Sequence, residues 1–328
     1  MTGRQVTIGT LDAARVGEVL ALADAARQAD GVAPLSEHVL LHLRYERAGR
    51  PGGGGGREAA GAAGAAGGGR DLVLAVDGEV AGYAHLDPPE AAGPGASADL
   101  TGELVIRPDR RGQGLGLALA RGLTVEAAGR HVRIWAHGDL PAAAGLARAA
   151  GFERVRALWQ MRRSLRDRPR QPRLPAGVTL RTFVPGRDEQ EWLRVNARAF
   201  AGHPEQGGWE VEVLLDRERQ PWFDPEGFRV HEEDGAVAAW CWTKVHGRAT
   251  PPMGEIYVIG VDPDYQGRGL GRALARAGLD WLAGQGLEVG MLYVDATNQA
   301  AFDLYRSLGF VEDHADRAYR RVVAGRSG

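Results

Sequence analysis

The sequence has one cysteine, Cys241, among 328 residues. That excludes an intramolecular disulfide and any zinc site built from several cysteines. Its place between Trp240 and Trp242 reads as a small buried residue of a strand. Neither sign of charge dominates: 40 Lys and Arg against 42 Asp and Glu leave a net charge of −2. Such a balance gives no electrostatic basis for a nucleic-acid or membrane-surface partner. No apolar run approaches the roughly 18 residues of a membrane span, and "MTGRQVTIGTLD" lacks the apolar core of an export signal. A cytoplasmic protein is expected, with 44% hydrophobic and 25% charged residues, as in ordinary globular chains.

Glycine, by contrast, is abundant, with 48 residues. Part of it lies in 48–70, "AGRPGGGGGREAAGAAGAAGGGR", which has almost nothing to bury and is expected to be a disordered insertion. The break at 166–176, "RDRPRQPRLPA", interrupts all periodicity and reads as a linker between domains 1–165 and 177–328. Each half has the same order of elements. Helical patterns at 11–28 and 36–47 match those at 188–200 and 208–219. Short apolar strands at 72–76 and 80–86 match 227–231 and 236–244. A further strand, a Gly-rich turn, an amphipathic helix, a strand, a helix and a final strand close each half. Pro108 and Pro263 lie 155 residues apart, about one domain, so an α/β unit (in class, α+β) is duplicated.

The repeated turn carries the chemistry. "IRPDRRGQGLGLAL" (106–119) and "VDPDYQGRGLGRAL" (261–274) each deliver glycines to the start of a helix. Unpaired N–H groups and the positive end of the helix dipole make an anion site there. Gly267, Gly269 and Gly271 lack side chains, which lets phosphate oxygens approach the backbone. No Gly-Lys-Ser/Thr follows, so this is not a P-loop, and the G-x-G-x-G spacing departs from a dinucleotide fingerprint. Taken alone, such a turn is also compatible with a ligand-free connection.

Gln266–Gly271 and Arg111–Gly116, together with Asn298, Ala301, Tyr305, Gly309 and Phe310 downstream, resemble the acetyl-CoA loop and tail motif of the GCN5-related N-acetyltransferases. The resemblance implies two tandem acetyltransferase domains, each a mixed, mostly antiparallel sheet flanked by helices, with acetyl-CoA as co-substrate and no metal. The copies differ around the loop. Counting back from the prolines and glycines, Glu255, Asn298 and Tyr305 of the second copy correspond to Leu100, Leu140 and Ala147 of the first, and Glu103 corresponds to Val258. A shift of three would put Glu103 on the opposite face of its strand. Only the C-terminal copy is therefore expected to be catalytic. Glu255 would accept the amine proton, backbone N–H groups near Val258 and Ile259 would hold the oxyanion, and Tyr305 would serve the leaving thiolate. A solvated strand glutamate and a packing tyrosine are the plainer alternatives for each residue singly.

Longer stretches lie outside these motifs, among them "DGVAPLSEHVL" (30–40), "QMRRSL" (160–165), "LRVNARAFAGHPEQGGW" (193–209) and "WTKVH" (242–246). Through them the chain is similar over its whole length to the mycothiol synthase family. That resemblance implies N-acetylation of the cysteinyl amine of cysteinyl-glucosaminyl-inositol by a monomer. It carries acceptor contacts onto Glu37, Glu205, Lys244, Tyr293 and Glu255. Acetyl-CoA contacts fall on Ile259, Gly260 and Val261, on Gln266, Gly267, Arg268, Gly269, Leu270, Gly271 and Arg272, and on Asn298, Gln299, Ala300, Ala301, Phe302 and Asp303. In the first half they fall on Leu104, Val105 and Ile106 and on Gly112, Gln113, Gly114, Leu115, Gly116 and Leu117. Carboxylates and a lysine suit a polyhydroxyl acceptor bearing an ammonium group. Another small amine or a protein N-terminus as acceptor, or a non-catalytic acetyl-CoA-binding module, remain as alternatives.

Overall fold

The computed structural model describes residues 4–9, 11–48, 69–88, 99–166, 174, 177–201, 206–247, 249 and 251–322. Nearly all of the Gly/Ala insertion and of the linker lies outside these residues. In chain order the first elements are β1 (Arg4–Ile8), α1 (Ala13–Asp30), α2 (Glu37–Ala48), β2 (Arg70–Val76), β3 (Glu79–Asp87) and β4 (Leu100–Ile106). Next come α3 (Leu115–Glu126), β5 (Val132–Ala136), α4 (Pro141–Ala149) and β6 (Glu153–Ser164). The chain continues with β7 (Arg181–Thr182), α5 (Glu189–Ala199), α6 (Val211–Glu218), β8 (Phe228–Glu233), β9 (Ala236–His246) and β10 (Met253–Val261). It ends with α7 (Leu270–Gly284), β11 (Val289–Asp295), α8 (Gln299–Ser307) and β12 (Val311–Arg321).

Local chemistry accounts for these elements. Helix α1 opens where Asp12 accepts the Arg15 N–H at 2.8 Å and closes at Gly31, in the left-handed region at φ +73°. Strand β2 is buried along six of its seven residues because helices cover both faces. Leu72, Leu74 and Val76 join the core beneath α3, while Val73 points into the core beneath α1 and α2. Helix α7 buries Leu270, Ala273, Leu274, Gly278, Leu279 and Leu282, one stripe at helical spacing. A side chain at Gly278 would begin 2.7 Å from the Cys241 sulfur, so the helix lies on β9 at a distance only glycine allows. The opposite face of β8 and β9 is aromatic, with Trp192, Trp240, Trp242, Phe183 and Phe228 fully buried. Phe228 stacks between Phe183 and Trp242, at centroid distances of 4.2 and 4.7 Å.

Two compact units result, and they do not follow the sequence division at 166–176. One comprises Met1–Glu90, Ala98–Ala157 and Ala315–Gly328, the other Ala91–Ser97 and Leu158–His314. The sheet of the first unit runs β1-β2-β3-β4-β5 and ends on β12; that of the second runs β7-β8-β9-β10-β11 and ends on β6. Arg317–Arg321 of β12 pair antiparallel with β5, and Leu158–Ser164 of β6 pair antiparallel with β11. The expectation that each half closes with its own final strand is thus corrected: the halves exchange those strands. Duplicated halves present similar sheet edges to similar strands, and local periodicity carries no information about which edge a strand will choose. In both sheets a single parallel pair, β4–β5 or β10–β11, sits among antiparallel ones.

Candidate active site

The site in the second unit begins where two parallel strands part. β10 pairs with β11 only from Met253 to Glu255, the last pair being Glu255 with Met291. Successive backbone amides of a strand point to alternate sides, so beyond Glu255 every second amide of β10 faces no strand of that sheet. Ile259, Gly260 and Val261 lie on this freed stretch. On the other side β10 remains paired with β9, with a register shift between Ile256 and Val258 that makes Tyr257 the extra residue of a bulge.

After Val261 the chain turns through Pro263–Tyr265 into Gln266–Gly269 and enters α7 at Leu270. Gly267 and Gly269 both hold φ +78°, the left-handed region that other residues enter only with strain. Nothing stands within 4 Å of a Cβ built at either position. Gly269 occupies the cap position without a side chain to bond the amides of the first turn. Those amides head a cavity of about 300 Å³ lined by Val261, Gln266, Gly267, Gly269, Leu270, Gly271, Arg272 and, from α8, Leu304. An open, amide-rich surface with Arg272 beside it fits a diphosphate. The loop is anchored around the cavity: Arg198 bonds both oxygens of Asp262 at 2.9 and 3.0 Å, and Arg268 reaches Glu233 at 2.7 Å.

Glu255 is buried, and its Oε2 lies 2.7 Å from Nε2 of His246 on β9. Cross-strand from Glu255 stands Lys244, the only lysine in the sequence, also buried. Its ammonium lies over the rings of Trp222 at 4.4 Å and Tyr257 at 5.3 Å. Arg217 donates to the Tyr257 hydroxyl at 2.9 Å and lies over Trp209 at 4.1 Å. His246, Tyr257, Trp222 and Arg217 are additions to the residues singled out from the sequence. The alternation Lys244-x-His246 on a strand, which puts both on one face, was the signal available for His246.

Tyr305, on α8, is buried; burial, with Cys241 nearby, holds its phenol well above the usual tyrosine range. It therefore keeps its proton at neutral pH. Cys241 itself is fully buried and its thiol is pushed up to about 12, which fits the reading as a packing residue. Asn298 caps α8, its Oδ1 accepting the Ala301 N–H at 3.1 Å, and Gln299 donates to Asp303 at 2.8 Å within the same helix. Ala300, Ala301 and Phe302 complete that first part of the helix. Tyr293 is 41% exposed on β11 and accepts from Gln160 Nε2 at 2.7 Å. Glu205 lies outside the described residues. Glu37 is exposed in the first turn of α2 and belongs to the first unit, so it is not among the residues this unit gathers.

The first unit repeats the loop. Leu104, Val105 and Ile106 end β4, Gly112 and Gly114 hold φ +75° and +78°, and Leu115, Gly116 and Leu117 form the first turn of α3. Gln113 sits between the two glycines. Arg111 at its start donates to the Ile106 carbonyl, five residues back, as Gln266 does to Val261. The sequence alignment of Glu103 with Val258 is corrected here. The β4–β5 pairing ends at Glu103 with Trp135, just as β10–β11 ends at Glu255 with Met291. The next residues, Leu104 and Ile256, pack under α3 and α7 respectively, so both glutamates face the opposite side of their sheets. The Tyr257 bulge absorbs the odd residue of the three-residue offset and restores the face. Glu103 accepts the Ser36 N–H at 2.7 Å and lies 3.5 Å from His137. Against the effect of burial, Asp316 and Glu103 push that histidine up to about 10. Leu140 and Ala147 do stand at the positions of Asn298 and Tyr305, at the cap and the seventh residue of nine-residue helices.

Two such strand–loop–helix units, each over a mixed sheet parting at its one parallel pair, define an acyl-CoA-dependent acetyltransferase frame, and the profile of the Acetyltransferase (GNAT) family matches residues 57–152 and 191–310. A solved GCN5-related N-acetyltransferase from Sphaerobacter thermophilus superposes with a TM-score of 0.71 at 25% identity, covering 98% of this chain and 96% of that one. A tandem GNAT protein of the clavulanic acid pathway shares the fold, with a TM-score of 0.71 at 19% identity over 98% and 100%. The mycothiol acetyltransferase of Thermobispora bispora is 50% identical over 306 residues, 92% of this chain and 95% of that protein. That of Streptosporangium roseum is 44% identical over 365 aligned positions, 98% and 100%. The chain belongs to the mycothiol acetyltransferase family of GNAT proteins.

Proposed function

We propose that this chain transfers the acetyl group of acetyl-CoA to the cysteinyl amine of cysteinyl-glucosaminyl-inositol, completing mycothiol, and that the second unit performs the chemistry. The observation that carries the reading is a buried carboxylate, Glu255, hydrogen-bonded to His246 at the point where β10 leaves β11 and runs on toward the loop Gln266–Gly271. Relatives of this degree of identity bear the corresponding name.

In this mechanism the acceptor arrives as an ammonium, and Glu255 takes one proton to leave a neutral amine. The amine nitrogen attacks the thioester carbonyl, forming the C–N bond. Freed amides of β10 near Val258 and Ile259 donate to the oxygen that becomes negative. The C–S bond then breaks, the departing thiolate receives a proton from the Tyr305 hydroxyl, and the nitrogen gives up its second proton to leave the neutral amide, which restores the tyrosine. Lys244, Glu37, Glu205 and Tyr293 are assigned to the acceptor, and the loop residues of both units to acetyl-CoA. The first unit would bind acetyl-CoA without catalysis, since Ala147 replaces the acid and Glu103 already accepts the Ser36 N–H. We read the protein as a cytoplasmic monomer without nucleic-acid or membrane partners. Among the described residues no helix is long and apolar enough to cross a membrane.

The test supplies acetyl-CoA and the desacetyl acceptor, and identifies N-acetylated product by mass. Turnover by the wild type, with Glu255→Gln and Tyr305→Phe reduced by about 10²–10⁴-fold, supports the reading. If acetyl-CoA binds but no product forms, the acceptor assignment fails and a panel of other amines decides what replaces it.

A further inference from the structure

The first unit contains a cluster of histidines and aspartates that the acetyl-transfer reading does not use. His38 and His42 are one helical turn apart on α2, and His85 and Asp87 are two residues apart on β3, so each pair shares a face. The two faces meet. His38 Nε2 and His85 Nε2 both converge on Asp87 Oδ1, at 3.0 and 3.1 Å. All three donor atoms lie within 4.8 Å of one another.

We propose that His38, His85 and Asp87 form a site for one divalent late first-row ion of the zinc type, with a fourth position open to solvent. Tetrahedral zinc with bonds of about 2.0–2.1 Å to nitrogen and oxygen needs donors roughly 3.3 Å apart. The two spacings to Asp87 Oδ1 require an opening of only a few tenths of an ångström, and the two imidazole nitrogens already lie within 4.8 Å of each other. With a single cysteine the chain implies no metal when read along its length; this donor set is brought together by tertiary contact between a helix and a strand.

Two further features point to a ligand rather than to a plain ion-pair network. His85 is held in one orientation from behind: its Nδ1 lies 2.7 Å from Asp71 Oδ1, which also accepts from the Tyr83 hydroxyl at 2.6 Å. His42 bonds the other oxygen of Asp71 at 3.0 Å. A carboxylate behind a ligating imidazole fixes its tautomer and directs the lone pair of the other nitrogen outward. Second, Gly69 makes room for the ring, since a Cβ there would stand 2.6 Å from His85 Cε1 and 2.7 Å from Nε2. The exposure of His38, at 67% of its side chain, leaves a way in for the ion and for a fourth ligand. Imidazole nitrogen with one carboxylate suits zinc or cobalt and is poor for magnesium or calcium.

The experiment uses the untagged full-length chain, stripped with chelator and titrated with Co²⁺ alone, then with Zn²⁺. One equivalent of Co²⁺ giving visible ligand-field absorption, displaced by one equivalent of Zn²⁺ with a rise in Tm, supports the site. Asp71→Asn should weaken the ion by about 10–100-fold, the usual consequence of losing the residue behind a ligating histidine. His38→Ala should weaken it at least as much, and that residue is exposed enough for the variant to fold. Melting curves of the metal-free variants separate lost binding from lost folding. Binding of less than one equivalent, or the same affinity in the His38→Ala, Asp87→Asn double variant, would overturn the proposal and leave a network held by protons.

Discussion

His246 and Glu255 face each other across β9 and β10, with Nε2 and Oε2 2.7 Å apart and both side chains on the face that carries Lys244 and Tyr257. One strand carries the proposed base and its neighbour the group hydrogen-bonded to it, so the geometry of that carboxylate depends on sheet register rather than on a loop. His246→Gln should therefore lower kcat, but less than Glu255→Gln does, in steady-state turnover measured side by side. An unchanged kcat in His246→Gln would show that the histidine only packs there.

The loop glycines give a second prediction. Gly269 adopts φ +78° with open space where a Cβ would stand. Gly269→Ala should cost about 1 kcal/mol of stability from the backbone alone. Its larger effect should be on KM for acetyl-CoA, because the new methyl group occupies the approach to the first-turn amides. Gly114→Ala carries the same backbone cost in the first unit and should reduce the number of acetyl-CoA molecules bound per chain. Calorimetric titration of the two variants assigns each loop its share of binding; unchanged stoichiometry in Gly114→Ala would remove the first loop from the acetyl-CoA sites.

Strand exchange makes a strong claim about fragments. A piece spanning 1–165 lacks the β12 strand that pairs with β5, and one spanning 177–328 lacks the β6 strand that pairs with β11. Each would expose an unpaired sheet edge next to a cut core. Neither piece should show a cooperative melt when produced alone, whereas co-expression should restore one. Independent two-state unfolding of either fragment would contradict the exchange.

A further expectation concerns pH. One oxygen of Glu218 is buried without a hydrogen-bond partner, and burial together with nearby Glu189 pushes its carboxyl up to about 7. The folded protein thus holds that proton more tightly than the unfolded chain, whose glutamates titrate near 4.3. The associated stability is complete below the unfolded value and is lost as pH rises through about 7. Glu218→Gln should raise Tm relative to wild type at pH 8 and narrow that advantage at pH 5. An equal difference at both pH values would assign the gain to packing instead of charge.

Asp316 supports the exchanged strand from within the first unit. Its oxygens accept the Gly138 N–H at 3.1 Å and lie 2.9 Å from His137 Nδ1. The histidine, raised to about 10, contributes stability that is present below its unfolded value near 6.5 and is lost as pH climbs through 10. Asp316→Asn should lower Tm at pH 7 by several degrees, for a loss of about 1–3 kcal/mol in a buried charged hydrogen bond, with a much smaller loss above pH 10.

Much of this protein was settled locally. Glycine at 112, 114, 267 and 269 sets the left-handed turns, periodicity places the helices that follow them, and the strands ahead of them are read from short apolar runs. Glu255 and Tyr305 could be named because a repeated motif marks their neighbours along the chain. Tertiary structure decided everything that depends on which distant segments meet. It chose β12 for the first sheet and β6 for the second, though both strands have similar patterns. It placed a bulge at Tyr257 that brings Glu103 and Glu255 to equivalent positions despite a three-residue offset in sequence. It set His246 on Glu255, and it drew His38, His85 and Asp87 together from a helix and a strand. Side-chain periodicity encodes the face a residue occupies, whereas pairing between remote elements is fixed only when the whole core closes and one arrangement buries the most surface with its polar groups satisfied.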